Sequence, residues 1–313
     1  MFRLTTALLA LSPPPHPLPL LPAILNSAVL LLEANEIPEP SLSAAHLLTK
    51  ALDLPSGEFY PILSAPHDEK SVYKLAKIST LQKSLFDSYI SRRLSHEPIQ
   101  YIIGEWDFHE LPLPISIRKP SLCPRPETEE LVELILDSVK NLANPNPQEL
   151  KILDIGCGTG AIGLALINKL PKSTCVAIDK CPSAINLSNE NARKYGFSSR
   201  YTAKLVGVED FDGDGFDIVV SNPPYIPRSD MASLEKSLLE FEDLDALCGG
   251  DDGLDIVNLV LDKFNSETQR GLGQTLWMEV DSSHPEMLAG RKGFVGSFKD
   301  FNNFDRFVKF ERS

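Results

Sequence analysis

The sequence predicts an α/β protein: a largely parallel sheet with helices on both faces, preceded by a small helical domain and a β-hairpin linker. Three observations predict it. From Lys151 onward, short apolar runs alternate with amphipathic stretches, a texture that parallel strands joined by helical crossovers produce. Before residue 95 the apolar residues recur at helical spacing. Between these regions "PIQYIIGEWDFHELPLPISI" concentrates β-branched and aromatic residues and is punctuated by Gly104 and prolines, the pattern of a hairpin.

In chain order, residues 1–19 form a candidate targeting segment. One Arg and no Asp or Glu precede Glu33, and prolines interrupt the apolar run, so no membrane span is expected. A secretory reading of "LTTALLAL" competes, and the odd cysteine count argues against it. Residues 20–94 read as the helical domain, carried by "AILNSAVLLLEANEI", "PSLSAAHLLTKAL" and "KSVYKLAKISTLQKSLFDSYISRRLSHE", with Arg92, Arg93 and the lysines on a solvated face. Residues 95–120 hold the hairpin. "CPRPETEELVELILDSV" then opens a helix with Pro126 at its start and Glu127, Glu129 and Glu130 where the helix dipole favours acids. "NPNPQEL" is a linker. Beyond it the strands "KILDIG", "STCVAID", "YTAKLVGV", "FDIVVSN", "GQTLWMEV" and "RFVKFER" are interleaved with the helices "AIGLALINKL", "PSAINLSNENARKYG" and "GLDIVNLVLDKF".

A net charge of −13 over 313 residues opposes sequence-independent binding to phosphate backbones, so no direct nucleic-acid partner is expected. The five cysteines are scattered and never spaced as C-x-x-C. That pattern builds neither a disulfide framework nor a zinc site; no metal is expected, and a reducing compartment fits.

The first strand of the α/β region runs into "LDIGCGTGAIG". Gly156, Gly158 and Gly160 let the backbone turn and approach a ligand at the start of the next helix. Asp179 closes the second strand, where a carboxylate accepts hydrogen bonds from ribose hydroxyls. Gly158, Gly160 and Gly163 satisfy the dinucleotide pattern G-x-G-x-x-G. The offset pattern Asp154-x-Gly156-x-Gly158-x-Gly160 resembles that of S-adenosylmethionine-dependent methyltransferases. Glycine spacing alone leaves the cofactor open.

The fourth strand leaves through "VSNPPYIP". Pro223 and Pro224 remove two N–H donors and fix two φ angles, and Asn222 is held extended before them. Asn222 is uncharged and is no ordinary general base. Its side-chain carbonyl and the Pro223 backbone carbonyl are two acceptors at a rigid corner, suited to a planar –NH2 group, with Tyr225 as an aromatic wall.

"YIIGEWDFHELPL", "CPRPETEELV", "ILDIGCGTGAIGLAL" and "VSNPPYI" follow one another as in the PrmC/HemK protein-(glutamine-N5) methyltransferases, which the chain resembles over roughly residues 20–313. The resemblance implies a Rossmann-like, seven-stranded class I methyltransferase sheet over 121–313 and S-adenosyl-L-methionine as cofactor. The implied substrate is the glutamine of the Gly-Gly-Gln motif in a class I peptide-chain release factor, recognised in part by the helical domain. It further implies the mitochondrial branch, hence the matrix, with the cytoplasm as alternative. A monomer without membrane partners is expected. The implied catalytic corner is Asn222, Pro223, Pro224 and Tyr225. The implied cofactor contacts are Asp154, Gly156, Cys157, Gly158, Thr159, Gly160, Asp179 and Asn222. Phe108 is expected as a lid, and Arg125 and Glu127 of "PRPET" beside the cofactor. The Cys157 thiol is a small filler and Glu279 a structural acid.

Three places depart from the family pattern. The adenine end is open among Glu209, Asp210 and Phe211; Asp243 stands where the family has Pro; "SSHPEMLAGRKGF" is short for a helix. The rival readings are a nucleic-acid exocyclic-amine methyltransferase, a nicotinamide oxidoreductase and a non-catalytic release-factor binder.

Overall fold

A computed structural model describes residues 20–64, 76–140, 149–266 and 272–312. The candidate targeting segment and most of the "NPNPQEL" linker lie outside them. The chain divides into two compact units at Ser95/His96. In the first, α1 (Leu21–Ala34), α2 (Pro40–Ala51), α3 (Phe59–Ser64) and α4 (Thr80–Leu94) are all helical. α1 buries Leu21, Ile24, Leu25, Ala28 and Leu32, an apolar stripe at helical spacing. α4 starts from a capping box in which Ser79 Oγ accepts from the Gln82 N–H and Gln82 Oε1 accepts from the Ser79 N–H. Arg92 is exposed as expected, but Arg93 is buried and its Nε donates to Ser43 Oγ at 3.3 Å. A long aliphatic stem is buried readily where its head finds an acceptor.

The second unit begins with α5 (Ile99–Ile103), β1 (Glu105–Trp106) and β2 (Ile115–Ser116). The expected hairpin is therefore shorter than its sequence suggests: two residue pairs, Glu105↔Ser116 and Trp106↔Ile115. "PIQYII" is a helical turn, entered after Pro98 and ended by Gly104 at φ +81°. Tertiary anchoring overrides the β-propensity of its isoleucines, because Tyr101 Oη donates to the Ser121 carbonyl at 2.6 Å and Ile102 is buried.

The rest is α6 (Pro126–Lys140), β3 (Lys151–Ile155), α7 (Ala161–Lys169), β4 (Thr174–Asp179), α8 (Pro182–Lys194), β5 (Tyr201–Leu205), β6 (Phe216–Ser221), α9 (Lys236–Phe241), α10 (Asp255–Phe264), β7 (Gly273–Glu279), α11 (His284–Leu288), β8 (Phe294–Lys299) and β9 (Asp305–Glu311). The sheet order is β5-β4-β3-β6-β7-β9-β8, seven strands, with β3 to β7 mutually parallel and β9 antiparallel to both its neighbours. Sequence pattern shows six of these strands. β8 escapes it because an edge strand that alternates half-buried and exposed residues, with Gly296 inside, has no apolar run.

Alternation sorts the strands onto two cores. Ile152, Ile218, Val220 and Trp277 face the side holding Leu131, Ile135, Leu164 and Ala192 of α6, α7 and α8. Leu153, Ile155, Val219 and Leu276 face Val257, Val260, Leu261 and Phe264 of α10. Burial on both faces is what fully parallel central strands require. The strand order reverses between β3 and β6, where the crevice at the carboxyl ends of the strands opens.

α7 lies close on this sheet because of Gly163. A Cβ there would stand 2.7 Å from Cys175 Sγ and 2.9 Å from Asp154 Oδ2, both buried. Overpacking outweighs the gain in helix propensity, so Gly163→Ala is expected to cost about 1–2 kcal/mol and lower the thermal midpoint by roughly 2–8 °C. A midpoint unchanged from wild type in a calorimetric scan would show that the two neighbours yield freely.

Candidate active site

The last fully paired residues across the sheet centre are Ile178, Ile155, Ser221 and Met278, on β4, β3, β6 and β7. One step further along the same strands stand Asp179, Gly156, Asn222 and Glu279. Ser221 Oγ donates to the Ile155 carbonyl at 2.9 Å and ties the two central exits together.

At the first exit Gly156, Gly158 and Gly160 all have positive φ, and a Cβ at Gly160 would meet Tyr201 Oη at 2.9 Å. The loop is strapped to the neighbouring strand by the Gly156 and Cys157 N–H groups, which donate to the Ile178 carbonyl at 2.8 and 3.1 Å. Asp179 completes the strap: Oδ2 accepts from the Gly158 N–H at 3.0 Å and Oδ1 from the Cys181 N–H at 2.8 Å. Burial pushes its pKa up and those two bonds pull it down, the first effect being the larger. Each oxygen keeps a lone pair for a further donor.

A cavity of about 240 Å³ opens on this edge. Gly156, Cys157, Gly158, Thr159, Asp179, Asn222 and Pro224 of the expected set line it. Val206, Val208, Ile256 and Leu259 add an apolar stretch to its wall, which lies at the end left open by the sequence. Of the three residues weighed there Glu209 lines the cavity, whereas Phe211 is core, 6.2 Å from Phe216 between ring centroids. Ile256 and Leu259 carried no signal beyond the amphipathicity of α10.

Other expected residues are placed elsewhere. Asp154 does not line the cavity: alternation on β3 sends its side chain towards α7, where it is 1% exposed. Its Oδ2 accepts from the Gly163 N–H at 3.0 Å, and Oδ1 has no partner. Phe108 is not a lid. It is 2% exposed, in the core with Ile115, Ile117 and Leu131, where a large apolar ring is most stable. Arg125 does not reach the cavity; its Nη2 donates to both oxygens of Glu242 at 2.7 and 2.9 Å, joining "PRPET" to the segment after the corner. Nothing in the sequence marked the buried Glu242 as that partner. Glu127 is half-buried and off the cavity, and Gly160 supports the loop from behind.

At the second exit Asn222 is half-buried and Pro223 buried. Asn222 Nδ2 donates to Thr128 Oγ1 at 3.2 Å, and Thr128 Oγ1 donates to Glu279 Oε2 at 2.8 Å. Tyr225 does not wall the cavity; its hydroxyl donates to Glu279 Oε1 at 3.1 Å. The corner rests on the "GGDDG" turn, where a Cβ at Gly249 would lie 2.6 Å from the Pro224 carbonyl oxygen and one at Gly253 2.2 Å from that of Tyr225. Among the described residues no group of three or more metal-ligating side chains occurs, and no helix is long and apolar enough to cross a membrane.

A parallel sheet with one reversed strand, a glycine loop at its switch point and a proline-locked amide beside it define a class I methyltransferase. Family models agree: a methyltransferase small domain matches residues 133–240 and a PrmC N-terminal domain residues 23–104. The human MTRF1L release factor glutamine methyltransferase is 36% identical over 239 residues, 71% of this chain and 70% of that protein. The Escherichia coli (strain K12) release factor glutamine methyltransferase is 32% identical over 223 residues, 70% of this chain and 77% of that one. The chain belongs to the release factor glutamine methyltransferase family. The catalytic domain of human Mettl16, solved with an RNA hairpin, matches at TM-score 0.52 and 14% identity over 64% of this chain and 76% of that one, a likeness of fold alone.

Asp154 gives the site's surroundings a measurable titration. Burial raises its pKa from 3.8 to about 7, against the Gly163 N–H bond that lowers it. Between these values the folded chain holds a proton that the unfolded chain has lost, so this group's contribution to stability falls as pH rises through the window and is flat above it. Asp154→Asn removes that loss. Its stability relative to wild type, from urea melts, is expected to rise between about pH 5 and pH 8 by up to about 2–3 kcal/mol. An equal difference at both pH values would contradict the assignment.

Proposed function

We propose that this chain transfers a methyl group from S-adenosyl-L-methionine to the side-chain amide nitrogen of the glutamine in the Gly-Gly-Gln motif of a class I peptide-chain release factor. The observation that carries the reading is the orientation of Asn222. Its Nδ2 is committed to Thr128, so Oδ1 is left as a free acceptor on the cavity side of a rigid corner.

The cavity's residues suit the cofactor. The apolar stretch of Val206, Val208, Ile256 and Leu259 would hold an adenine, Asp179 the ribose hydroxyls, and the backbone of Gly156–Gly158 the methionine part. A Cβ at Gly156 or Gly158 would meet nothing within 4 Å, so the loop leaves open space on its ligand side. Charge supports the choice between the two glycine patterns. Asp179, Glu209, Asp243 and Asp245 line the cavity against Lys180 alone, a set that favours a sulfonium and an ammonium over a pyrophosphate. When bound, the cofactor supplies an activated methyl group on a sulfonium.

The chain's own work is orientation and electrostatics. An amide nitrogen is a poor nucleophile because resonance ties up its lone pair. Asn222 Oδ1 and the Pro223 carbonyl accept its two N–H bonds and hold it in line for displacement. As a nitrogen–carbon bond formed and the methyl's bond to sulfur broke, nitrogen would gain positive charge and both acceptor bonds would strengthen, stabilising the transition state more than the bound substrate. The nitrogen then releases one proton to solvent. Asn222 takes no proton at any stage.

Incubating a purified class I release factor with the protein and S-adenosylmethionine tests the reading by intact mass and peptide mapping. One added methyl on the Gly-Gly-Gln glutamine is expected, with Asn222→Ala slower by about 10²-fold or more. Wild-type turnover by that variant would remove Asn222 from the mechanism. An unmodified release factor beside methylated bases in a nucleic-acid substrate would favour the exocyclic-amine reading.

A mitochondrial location, with the cytoplasm as alternative, rests on the acid-free run before Glu33 and on the resemblance to the mitochondrial branch, against the single arginine, Arg3, where such a segment usually carries more. A fluorescent fusion of the full chain is expected in mitochondria; diffuse cytosolic signal would overturn that.

A further inference from the structure

The substrate amide brings two N–H donors to the corner, so Asn222 serves it only with Oδ1 forward. Turned by 180° about χ2, the same side chain presents Nδ2, and donors face donors. Shape does not distinguish the two orientations, because oxygen and –NH2 are nearly equal in size. Hydrogen-bond direction does.

Thr128 Oγ1 alone sets no direction, since a hydroxyl donates or accepts as it rotates. Its one proton, however, is committed to Glu279 Oε2 at 2.8 Å, and the other carboxylate oxygen takes the Tyr225 hydroxyl at 3.1 Å. Glu279 is 1% exposed, so water does not supply these bonds instead. An ionised carboxylate only accepts. Burial, the largest influence, raises the Glu279 pKa; the two hydroxyls and the positive charge of Arg306, which itself pairs with Asp300 at 3.3 Å, oppose it by favouring the ionised form. With both hydroxyls donating into Glu279, Thr128 has only lone pairs left for Asn222, and Nδ2 must be the end that turns to it. The chain Asn222→Thr128→Glu279 therefore runs one way, and each bond polarises the next.

We infer that Thr128 and Glu279 are positioning residues that fix the orientation of the Asn222 amide and so keep its carbonyl aimed at the substrate. This rests on the reading of Asn222 given under Proposed function, and deepens it. Glu279 is then more than a structural acid: it sets hydrogen-bond polarity two side chains away. Register puts it in reach, because Met278 pairs with Ser221 and the next residues along these parallel strands are Glu279 and Asn222.

The test is single-turnover methylation of a class I release factor by the full chain, followed by mass spectrometry, with cofactor affinity and thermal midpoint measured on each variant. Thr128→Val keeps the volume and removes the hydroxyl. It is expected to lower the rate at saturating substrate by about 10-fold or more, with release-factor KM and cofactor Kd within about twofold of wild type. Thr128→Ser restores the hydroxyl and recovers most of the rate. Glu279→Gln donates as well as accepts, so it lets the chain run either way and lowers the rate by about 2–10-fold. In an Asn222→Ala background Thr128→Val adds no further loss, because there is no amide left to orient.

The relay is overturned if Thr128→Val is silent while Asn222→Ala is crippled. It is equally overturned if Thr128→Val costs the same factor in both backgrounds, or if its loss lies in KM, cofactor Kd or thermal midpoint alone. Wild-type rates in Asn222→Ala itself would instead sink the reading of Asn222 on which the relay stands.

Discussion

Parallel strands that pair in register must end together, and the site depends on that constraint. Ile178, Ile155, Ser221 and Met278 are hydrogen-bonded neighbours on four adjacent strands, so the next residues of each chain segment emerge side by side. Those residues are an acid that straps the glycine loop, the glycine that opens that loop, an amide held extended, and a buried acid. They lie up to 123 residues apart in sequence, between Gly156 and Glu279, yet no side chain has to reach far to bring them together. A one-residue slip of β6 against β3 would turn Asn222 to the opposite face and break the Ser221–Ile155 bond. Burial of Ile152, Leu153, Val219 and Val220 on both faces makes such a slip costly.

Given that edge, two kinds of stiffness finish the site. The prolines after Asn222 restrict the backbone covalently, and the glycines at 249 and 253 let a second turn press against the Pro224 and Tyr225 carbonyls. Further restriction comes from hydrogen bonds to carboxylates: buried Glu279 holds Thr128 and Tyr225, buried Glu242 holds Arg125, and half-buried Asp179 holds two backbone N–H groups. A buried carboxylate is costly unless its lone pairs are filled, so such a network favours one arrangement strongly over its neighbours. Asp154 is the exception in its bonding: one oxygen has no partner, and burial raises its pKa.

The parts of this architecture legible in the sequence were those written in local chemistry. Alternating apolar runs gave the parallel strands, glycines at 156, 158 and 160 the loop, and consecutive prolines the corner. The parts that stayed hidden depend on distant contacts. "PIQYII" has the composition of a strand and is held as a helical turn by the Tyr101 bond to Ser121. β8 has one partner and half-exposed residues, so it needs no apolar run. The motifs point to Asp154 as a cofactor contact and Phe108 as a lid, and neither lines the cavity, because the direction of a side chain follows from alternation and core volume rather than from a motif. Thr128 and Glu279 sit 151 residues apart, and no spacing rule connects a hydroxyl in a helix with an acid at a strand end.

The same division bears on the ambiguity of the glycine loop. Its residues satisfy two patterns at once, and loop geometry is equally open to both, since either ligand needs only a close approach of the backbone. What separates them is the charge of the wall the fold assembles from elsewhere: Glu209 after β5, Asp243 and Asp245 after the corner, Asp179 at the end of β4. A pyrophosphate would meet these carboxylates in a half-enclosed cavity where repulsion is poorly screened, with Lys180 as the single cation to offset it. A ligand carrying positive charge on sulfur and nitrogen meets the same groups as attraction. Asp243, which stands where the family pattern has Pro, adds to that field, so the departure leaves the preference for a cationic ligand in place.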